Sequence, residues 1–118
     1  MNFLAHLYLS GTSDDIMVGN FIGDFVKGNK FRNYSTEVQE GIQLHREIDS
    51  FTDAHTVNKL VRRELSQHFG HYSGVVLDLY WDHFLAKNWL DFHHIDLQSY
   101  TRESFGILNQ QWAVSYTH

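Results

Sequence analysis

The stretch Gly41–His55 constrains the fold more than any other part of this sequence. Written as an α-helix, it places His45, Asp49 and Asp53 on one face, because residues four apart are neighbours on a helix surface. Apolar residues occupy much of the remaining helix surface. An imidazole and two carboxylates are ligand types that divalent cations prefer. The stretch therefore predicts a partly buried helix that carries part of a metal site.

The composition favours one all-α domain. The chain has 118 residues, of which 42% are hydrophobic and 19% charged, so it can build a core and is predicted to form a single helical domain over residues 1–118. It contains no proline, which is the strongest helix breaker. It also contains no cysteine, which excludes disulfides and thiolate metal ligands and fits a cytoplasmic protein.

Charge and hydropathy exclude several classes of protein. The net charge of −5 argues against general nucleic-acid binding, since nothing supplies a broad cationic face. No run approaches the roughly 18 apolar residues of a membrane-spanning helix. Met1–Leu9 is apolar but has no cationic leader, so a signal peptide is not expected.

Six helical segments are predicted along the chain. They are Asn2–Ser10 (where a short strand is also possible), a helix capped by Thr12 or Ser13 that runs from Asp14 to about Gly28, one capped by Ser35 or Thr36 that runs to His55, one from there to Gly70, Tyr72–Trp89 and Ile95–Trp112. The Gly41–His55 and Tyr72–Trp89 helices carry more apolar residues than one amphipathic stripe needs. We expect both to be largely buried and packed together at the centre.

Asp24 is the most informative polar residue in the second segment, where its neighbours are apolar. A carboxylate there costs several kcal/mol unless it is paired, hydrogen-bonded or metal-bound. Gly19 and Gly23 each lower the helix propensity by roughly 1 kcal/mol. This predicts that another helix or a ligand approaches closely. A structural ion pair is the alternative role for Asp24.

Polar groups also interrupt two other apolar segments. Asp78 and Asp82 lie one helical turn apart, where two like charges repel unless a cation lies beside them. The alternative is one buried aspartate bonded to a tyrosine or histidine and one exposed aspartate. His6 lies in the middle of the first segment, either as a core residue with a hydrogen bond or as a ligand or base.

Together these residues suggest a metal site between helices. The candidates are His6, Asp24, His45, Asp49, Asp53, His55, Asp78, Asp82 and His83. Helical bundles commonly build such sites from inward-facing side chains, and mixed His and Asp ligands favour Mn, Mg, Fe or Zn. Such a cation activates water and neutralises charge on a phosphoryl oxygen, which makes phosphoester hydrolysis a reasonable reaction class. Metal storage would need similar ligands.

Four motifs carry a resemblance to a known family. They are Asn2–Leu7 (NFLAHL), Gly19–Phe25 (GNFIGDF), Gly41–His55 (GIQLHREIDSFTDAH) and Asp78–Ala86 (DLYWDHFLA). They resemble the acyl carrier protein phosphodiesterase family over roughly Met1–Trp89. The resemblance implies an all-α bundle similar to HD-type phosphohydrolases. It also implies Mn-dependent hydrolysis of the phosphodiester that joins 4′-phosphopantetheine to a serine of acyl carrier protein. Family members are usually longer, with further helices beyond the region of Trp89.

The predicted site residues fall into two groups. The metal ligands are Asp24, His45, Asp49 and Asp82, holding Mn²⁺ or alternatively Mg²⁺ or Fe²⁺. The catalytic group is His6, Asp24, Arg46 and Asp53, with Arg46 on the substrate phosphate and His6 also considered as a ligand. We expect Asp24, His45 and Asp49 to converge with Asp82 or His6 around one cavity.

Two further expectations concern partners and alternatives. Without later helices, apolar surface near Tyr80, Trp81, Phe84 and Trp89 would be exposed, which predicts a homodimer. The competing outcome is that Ile95–Trp112 folds back and covers its own bundle. A non-catalytic helical binding or assembly module is the alternative function, as is a related HD-type phosphohydrolase acting on a small phosphoester.

Overall fold

The protein is all-α, as predicted, and the described residues contain no strand. The computed structural model describes residues 3–116, with side chains described as far as Gln111. The helices are α1 Phe3–Tyr8, α2 Asp14–Ile22, α3 Thr36–Ala54, α4 Thr56–Phe69, α5 Ser73–Lys87, α6 Trp89–Phe92 and α7 Leu97–Tyr116. The short helix α6 was not predicted. It arises because α5 ends at Asn88, whose side-chain amide donates to the carbonyl of Phe84 at 2.9 Å.

Local signals fixed several helix ends as expected. Ser13 and Ser35 cap the N-termini of α2 and α3. Their hydroxyl oxygens accept hydrogen bonds from the backbone N–H groups of Ile16 and Val38, respectively. Helix α4 ends at Gly70, whose φ of 58° lies in the left-handed region that glycine tolerates. The basic residues of α4, Lys59, Arg62 and Arg63, are exposed.

The predicted end of the second helix near Gly28 is wrong. Helix α2 ends at Ile22 and is followed by a 3₁₀ turn, Gly23–Phe25, after which Val26 is extended. The carbonyls of Val26 and Gly28 accept hydrogen bonds from the Arg46 guanidinium at 3.1 and 2.9 Å. These bonds satisfy backbone groups that have left the helix, so the chain can turn early.

Helices α2 and α3 cross at two glycines. A Cβ atom placed on Gly19 would lie 2.8 Å from the Cα of Gly41, and one placed on Gly41 would lie 2.8 Å from the Cα of Gly19. Neither residue could carry a side chain without separating the helices. This confirms that close approach of a helix compensates for glycine at position 19, and it explains why α3 packs mainly against α2.

The predicted central packing of α3 against α5 is wrong. Helix α5 packs against α4 and α1, and within the described residues only its Ser73 and Leu77 are buried. The exposed large apolar side chains of α5 and of Tyr72 just before it, which we call the α5 apolar face, are Tyr72, Val75, Leu79, Tyr80 and Phe84, exposed by 62%, 58%, 57%, 56% and 42%. Helix α5 is apolar on every side, which predicts burial. The described part of the chain supplies no helix to cover this face.

Helix α7 folds back onto its own bundle and covers part of the surface that we expected to be exposed. Trp89 is 2% exposed and clusters with Leu7, Met17 and Tyr100, so its predicted exposure is wrong. The Trp89 indole donates to the Ile95 carbonyl at 2.8 Å, which holds the turn before α7. The competing outcome, self-coverage by the last helix, is therefore realised at Trp89 but not at Tyr80 or Phe84.

None of the described helices is both long enough and apolar enough to cross a membrane. The predicted single domain over residues 1–118 stays a prediction.

Candidate metal centre

His45 is the centre of the site. It lies on the buried side of α3, and its Nδ1–H donates to the backbone carbonyl of Asn20 at 2.8 Å. In the neutral ring this bond leaves the Nε2 lone pair facing two carboxylates, with Asp24 Oδ1 at 2.9 Å and Asp49 Oδ2 at 3.2 Å. Lone pairs of one nitrogen and two anionic oxygens repel. Either a proton or a metal ion must therefore lie among them.

His6 reaches the same place from α1. Its ring stacks on the ring of His45 with centroids 3.9 Å apart, and its Nε2 lies 3.1 Å from Asp49 Oδ1. Asp49 thus presents one oxygen to each histidine. Nδ1 of His6 is buried and has no hydrogen-bond partner among the described residues. The protein groups around this site do not satisfy one another completely, although buried polar atoms normally find partners.

Asp24 lies at the exposed edge of this group. Its side chain is 60% exposed, whereas that of Asp49 is 33% exposed and those of both histidines are nearly buried. The 3₁₀ turn after α2 directs Asp24 towards His45. The site is therefore open to solvent on the side of Asp24.

The charges at the site perturb its pKa values. Burial acts to lower the pKa of His45, but hydrogen bonds with Asp49 and Asp24 outweigh it and raise that pKa above its ordinary value. Burial acts to raise the pKa of Asp49, but hydrogen bonds from His45 and His6 bring it well below its ordinary range. Both shifts favour a cation next to the two carboxylates.

The geometry fits a divalent metal ion. One ligand atom from each of His6, His45 and Asp49 lies within 4.8 Å of the others, so one ion could contact all three. The bond from His45 Nδ1–H to the Asn20 carbonyl is the support that metal-binding histidines normally have, since it fixes the tautomer and the ring orientation. Asp24 does not belong to this group of three, although its Oδ1 lies 2.9 Å from His45 Nε2. These residues could hold a divalent cation, as the sequence predicted.

Asp82 and Arg46 make other contacts. The Asp82 oxygens accept from the backbone N–H groups of Leu4 and Ala5, both at 3.4 Å, so Asp82 lies at the N-terminus of α1. The Arg46 guanidinium binds the carbonyls described above and lies over the Phe31 ring, 5.2 Å from its centroid. The roles of Asp82 as a ligand and of Arg46 on the substrate phosphate stay predictions.

The remaining candidates lie farther along α3 and on α4 and α5. Asp53 accepts from Arg62 at 3.4 Å and is 62% exposed. His55 caps α4 by accepting from the N–H of Val57 at 3.2 Å. Asp78 is half-buried and His83 is exposed. The predicted catalytic role of Asp53 stays a prediction.

Sequence reasoning missed Asn20. Its side chain is fully buried, and its amide donates to the His6 carbonyl and to Ser10 Oγ, both at 2.9 Å. The backbone carbonyl of Asn20 also orients His45, so Asn20 connects the two histidines. Asn20, like Asp24, is a polar residue among apolar neighbours in the second segment, and that pattern would have identified it.

Comparison with known proteins identifies the family. The family model described as "Acyl carrier protein phosphodiesterase" matches residues 1–116. The chain belongs to the acyl carrier protein phosphodiesterase family. It is 46% identical over 90 residues to the protein of that name from Pectobacterium atrosepticum, which covers 76% of this chain and 47% of the relative. The match to the Photorhabdus laumondii protein is 37% identical and covers 98% of this chain and 69% of the relative.

The chain spans only part of the relatives that it matches. The match to the acyl carrier protein phosphodiesterase of Yersinia pestis is 43% identical over 89 residues and covers 46% of that protein. The chain thus spans about half the length of the Pectobacterium and Yersinia relatives that it matches. No solved structure matches the chain.

Proposed function

We propose that this protein is a metal-dependent phosphodiesterase that hydrolyses the 4′-phosphopantetheine linkage of holo-acyl carrier protein to give the apo carrier. One observation carries the proposal: His45 Nε2 faces Asp24 and Asp49 while its Nδ1 is held by Asn20. Membership of the acyl carrier protein phosphodiesterase family supports the substrate. The carrier protein would be the macromolecular partner, and a cytoplasmic location agrees with the absence of cysteine.

We assign the metal to His6, His45, Asp49 and Asp24, and we propose Mn²⁺ as the ion. When bound, a divalent cation neutralises charge on a phosphoryl oxygen and lowers the pKa of water. Ligation needs neutral histidines and an ionised carboxylate. The low pKa of Asp49 keeps its carboxylate ionised.

Other groups of the protein orient the histidine ligand, accept a proton and exclude solvent. Asn20 holds the His45 ring in one orientation, so the Nε2 lone pair points towards the carboxylates. Asp24 is the exposed member, and it is therefore placed to accept a proton from water that reaches the site beside the substrate phosphate. The stacked and buried histidine rings exclude solvent from the opposite side.

The proposal is tested by incubating purified protein with holo-acyl carrier protein and Mn²⁺ and measuring release of 4′-phosphopantetheine by mass spectrometry. We expect the carrier to lose this group with the wild type, and the rate to fall by several orders of magnitude in His45→Ala. No release by the wild type with any of Mn²⁺, Mg²⁺ or Fe²⁺ would contradict the proposal.

We also propose that the protein is a homodimer through the α5 apolar face. The accessible surface is 8167 Å², whereas a folded monomer of 13.9 kDa has about 6,700 Å². The excess, about 1,500 Å² per chain, is roughly twice the ~800 Å² that each partner buries in a standard protein interface. A second copy presents the same face, so a two-fold arrangement would cover both.

A further inference from the structure

A second cavity lies between the C-terminal end of α3, α4 and α5. Its volume is about 310 Å³, at the lower end of the range for small-molecule sites. Its apolar walls include Val57, Leu77 and Trp81, and Thr52, Asn58 and Arg62 supply polar groups. One of these residues, Thr52, also contacts the metal-binding group, because its hydroxyl donates to the backbone carbonyl of Asp49 at 3.2 Å.

A hydrogen-bonded chain holds the cavity open and joins its three helices. The Asn58 amide on α4 donates to the Thr52 carbonyl on α3 at 2.8 Å, and its oxygen accepts from the Trp81 indole on α5 at 2.9 Å. The cavity walls are thus ordered without a ligand, so less conformational entropy is lost when a ligand binds. The second Asn58 N–H, the Thr52 hydroxyl oxygen and the other Arg62 N–H groups retain hydrogen-bonding capacity.

The cavity continues the helix face that carries the metal site. On α3, Thr52 and Asp53 follow Asp49 by three and four residues, which places them on the same side of the helix and about 4.5–6 Å farther along its axis. The cavity is therefore within one helical turn of a ligand whose phosphate lies at Asp49.

We propose that this cavity binds the pantetheine arm of the substrate. The arm is a flexible chain of amide groups and apolar carbons that ends in a thiol, and it extends from the phosphate that is cleaved. Its amides match the donors and acceptors of Thr52, Asn58 and Arg62, and its apolar carbons match Val57, Leu77 and Trp81. This assignment rests on the proposed function, because the phosphodiester at the metal centre sets the direction of the arm.

The groove between α2 and α7 is less suited to the arm. It is larger, about 970 Å³, and it is lined mainly by apolar side chains such as Val18, Phe21 and Phe105. Its polar lining residues are Tyr34, Asn109 and Gln111, and on α3 it is lined by Val38, eleven positions before Asp49. The cavity at Trp81 begins three positions after Asp49, at Thr52.

The test is a titration with pantetheine, which lacks the phosphate, followed by the ¹H–¹⁵N signals of the tryptophan indoles. Trp81→Phe assigns the Trp81 signal. We expect that signal to shift on binding in the wild type. Val57→Trp places a large ring in the cavity from a half-exposed position and should abolish the shift. Leu60→Trp, on the same helix with 54% exposure and outside the cavity, is the matched control and should retain the shift.

The outcomes separate this inference from the proposed function. Hydrolysis of holo-carrier by the wild type, with no Trp81 shift up to millimolar pantetheine, would overturn the cavity assignment and leave the function intact. A Trp81 shift that Val57→Trp abolishes, without hydrolysis, would support the cavity and contradict the function. Equal shifts in Val57→Trp and Leu60→Trp would also overturn the assignment. If the wild type both hydrolyses holo-carrier and shows the Trp81 shift with pantetheine, Val57→Trp should raise the KM for holo-carrier at least tenfold. Leu60→Trp should leave this KM unchanged.

Discussion

The imidazole of His45 occupies the space that a side chain at Gly23 would fill. A Cβ atom on Gly23 would lie 2.7 Å from both Cβ and Cδ2 of His45. This distance is too short for two carbon atoms in van der Waals contact. The glycine at the end of α2 thus determines where the central histidine lies, and with it the geometry of the metal-binding group.

Gly23→Ala should displace the His45 ring. Metal affinity should then fall by roughly tenfold or more, which is the usual effect of removing a group that orients a metal ligand. Overpacking should also cost about 1–3 kcal/mol of stability. Calorimetric titration with Mn²⁺ measures the affinity, and circular dichroism confirms that the variant folds. Gly106→Ala is the control, since no atom lies within 4 Å of its added carbon and metal affinity should not change. Equal Mn²⁺ affinities in the two variants would contradict the role of Gly23.

Asp24→Asn should abolish phosphodiester hydrolysis and leave the fold nearly intact, because the side chain is 60% exposed. The amide keeps the shape of the carboxylate but loses its charge and basicity. The assay is 4′-phosphopantetheine release from holo-carrier, with thermal melting as the measure of folding. Asp14→Asn, an exposed acid in the first turn of α2, should keep wild-type activity. Retained turnover in Asp24→Asn would remove this residue from the catalytic group.

The stability of the metal-free protein should fall as the pH rises above neutral. The pKa of His45 is raised above 6.5, so its contribution is complete below 6.5 and is lost as the pH rises through the folded-state pKa. The pKa of Asp49 is lowered, so its contribution is present above 3.8 and lost only as the pH falls through the folded-state pKa. Urea unfolding with a chelator should therefore give a higher free energy of unfolding near pH 6 than near pH 8.5. His45→Gln should lose most of this difference, and an unchanged pH dependence in that variant would refute the assignment.

Asp82→Asn should increase stability at neutral pH and leave metal affinity unchanged. Burial is the largest cause that raises the pKa of Asp82, opposed by the N–H groups of Leu4 and Ala5, and the charge of Asp78 raises it further. An acid with a raised pKa destabilises the folded state once it ionises, and asparagine removes that charge while its oxygen still accepts from α1. Urea unfolding and Mn²⁺ titration test both parts. A loss of affinity of tenfold or more would instead support the predicted role of Asp82 as a ligand.

Leu79→Glu should convert the proposed dimer into a monomer, because it places a charge in the middle of the α5 apolar face. Light scattering after size-exclusion chromatography at micromolar concentration should give about twice 13.9 kDa for the wild type and 13.9 kDa for the variant. Leu90→Glu on α6, where the side chain is already 71% exposed, should remain dimeric. A wild-type protein that is monomeric and binds no apolar dye would exclude the dimer.

Patterns within single helices allowed much of the fold to be predicted. The caps at Ser13 and Ser35, the end of α4 at Gly70 and the close helix approach at Gly19 each depend on nearby residues or on one residue type. The partners of the helices were harder to predict. The apolar content of α5 predicted burial but could not reveal that the described chain lacks a helix to cover it.

The site shows the same division. The polar residues His6, Asp24, His45 and Asp49 stand out in apolar helices, and the structure brings all four together. Arg46 and Asp82 stand out in the same way, yet their contacts are with backbone groups of another segment. A sequence shows that a buried polar group needs a partner. Whether that partner is a metal, a side chain or a backbone depends on packing between distant segments.

The metal-binding group takes its members from α1, from the turn after α2 and from α3, which are far apart in the chain. A bound ion would therefore act as a cross-link between three segments, in addition to the hydrogen bonds of Asn20 and the contact between Gly19 and Gly41. An ion present at 100 times its dissociation constant would stabilise the folded state by about 2.7 kcal/mol. Amide hydrogens of α1–α3 should then exchange more slowly than those of α4 and α5, so cofactor loading would decide which half of the molecule opens first.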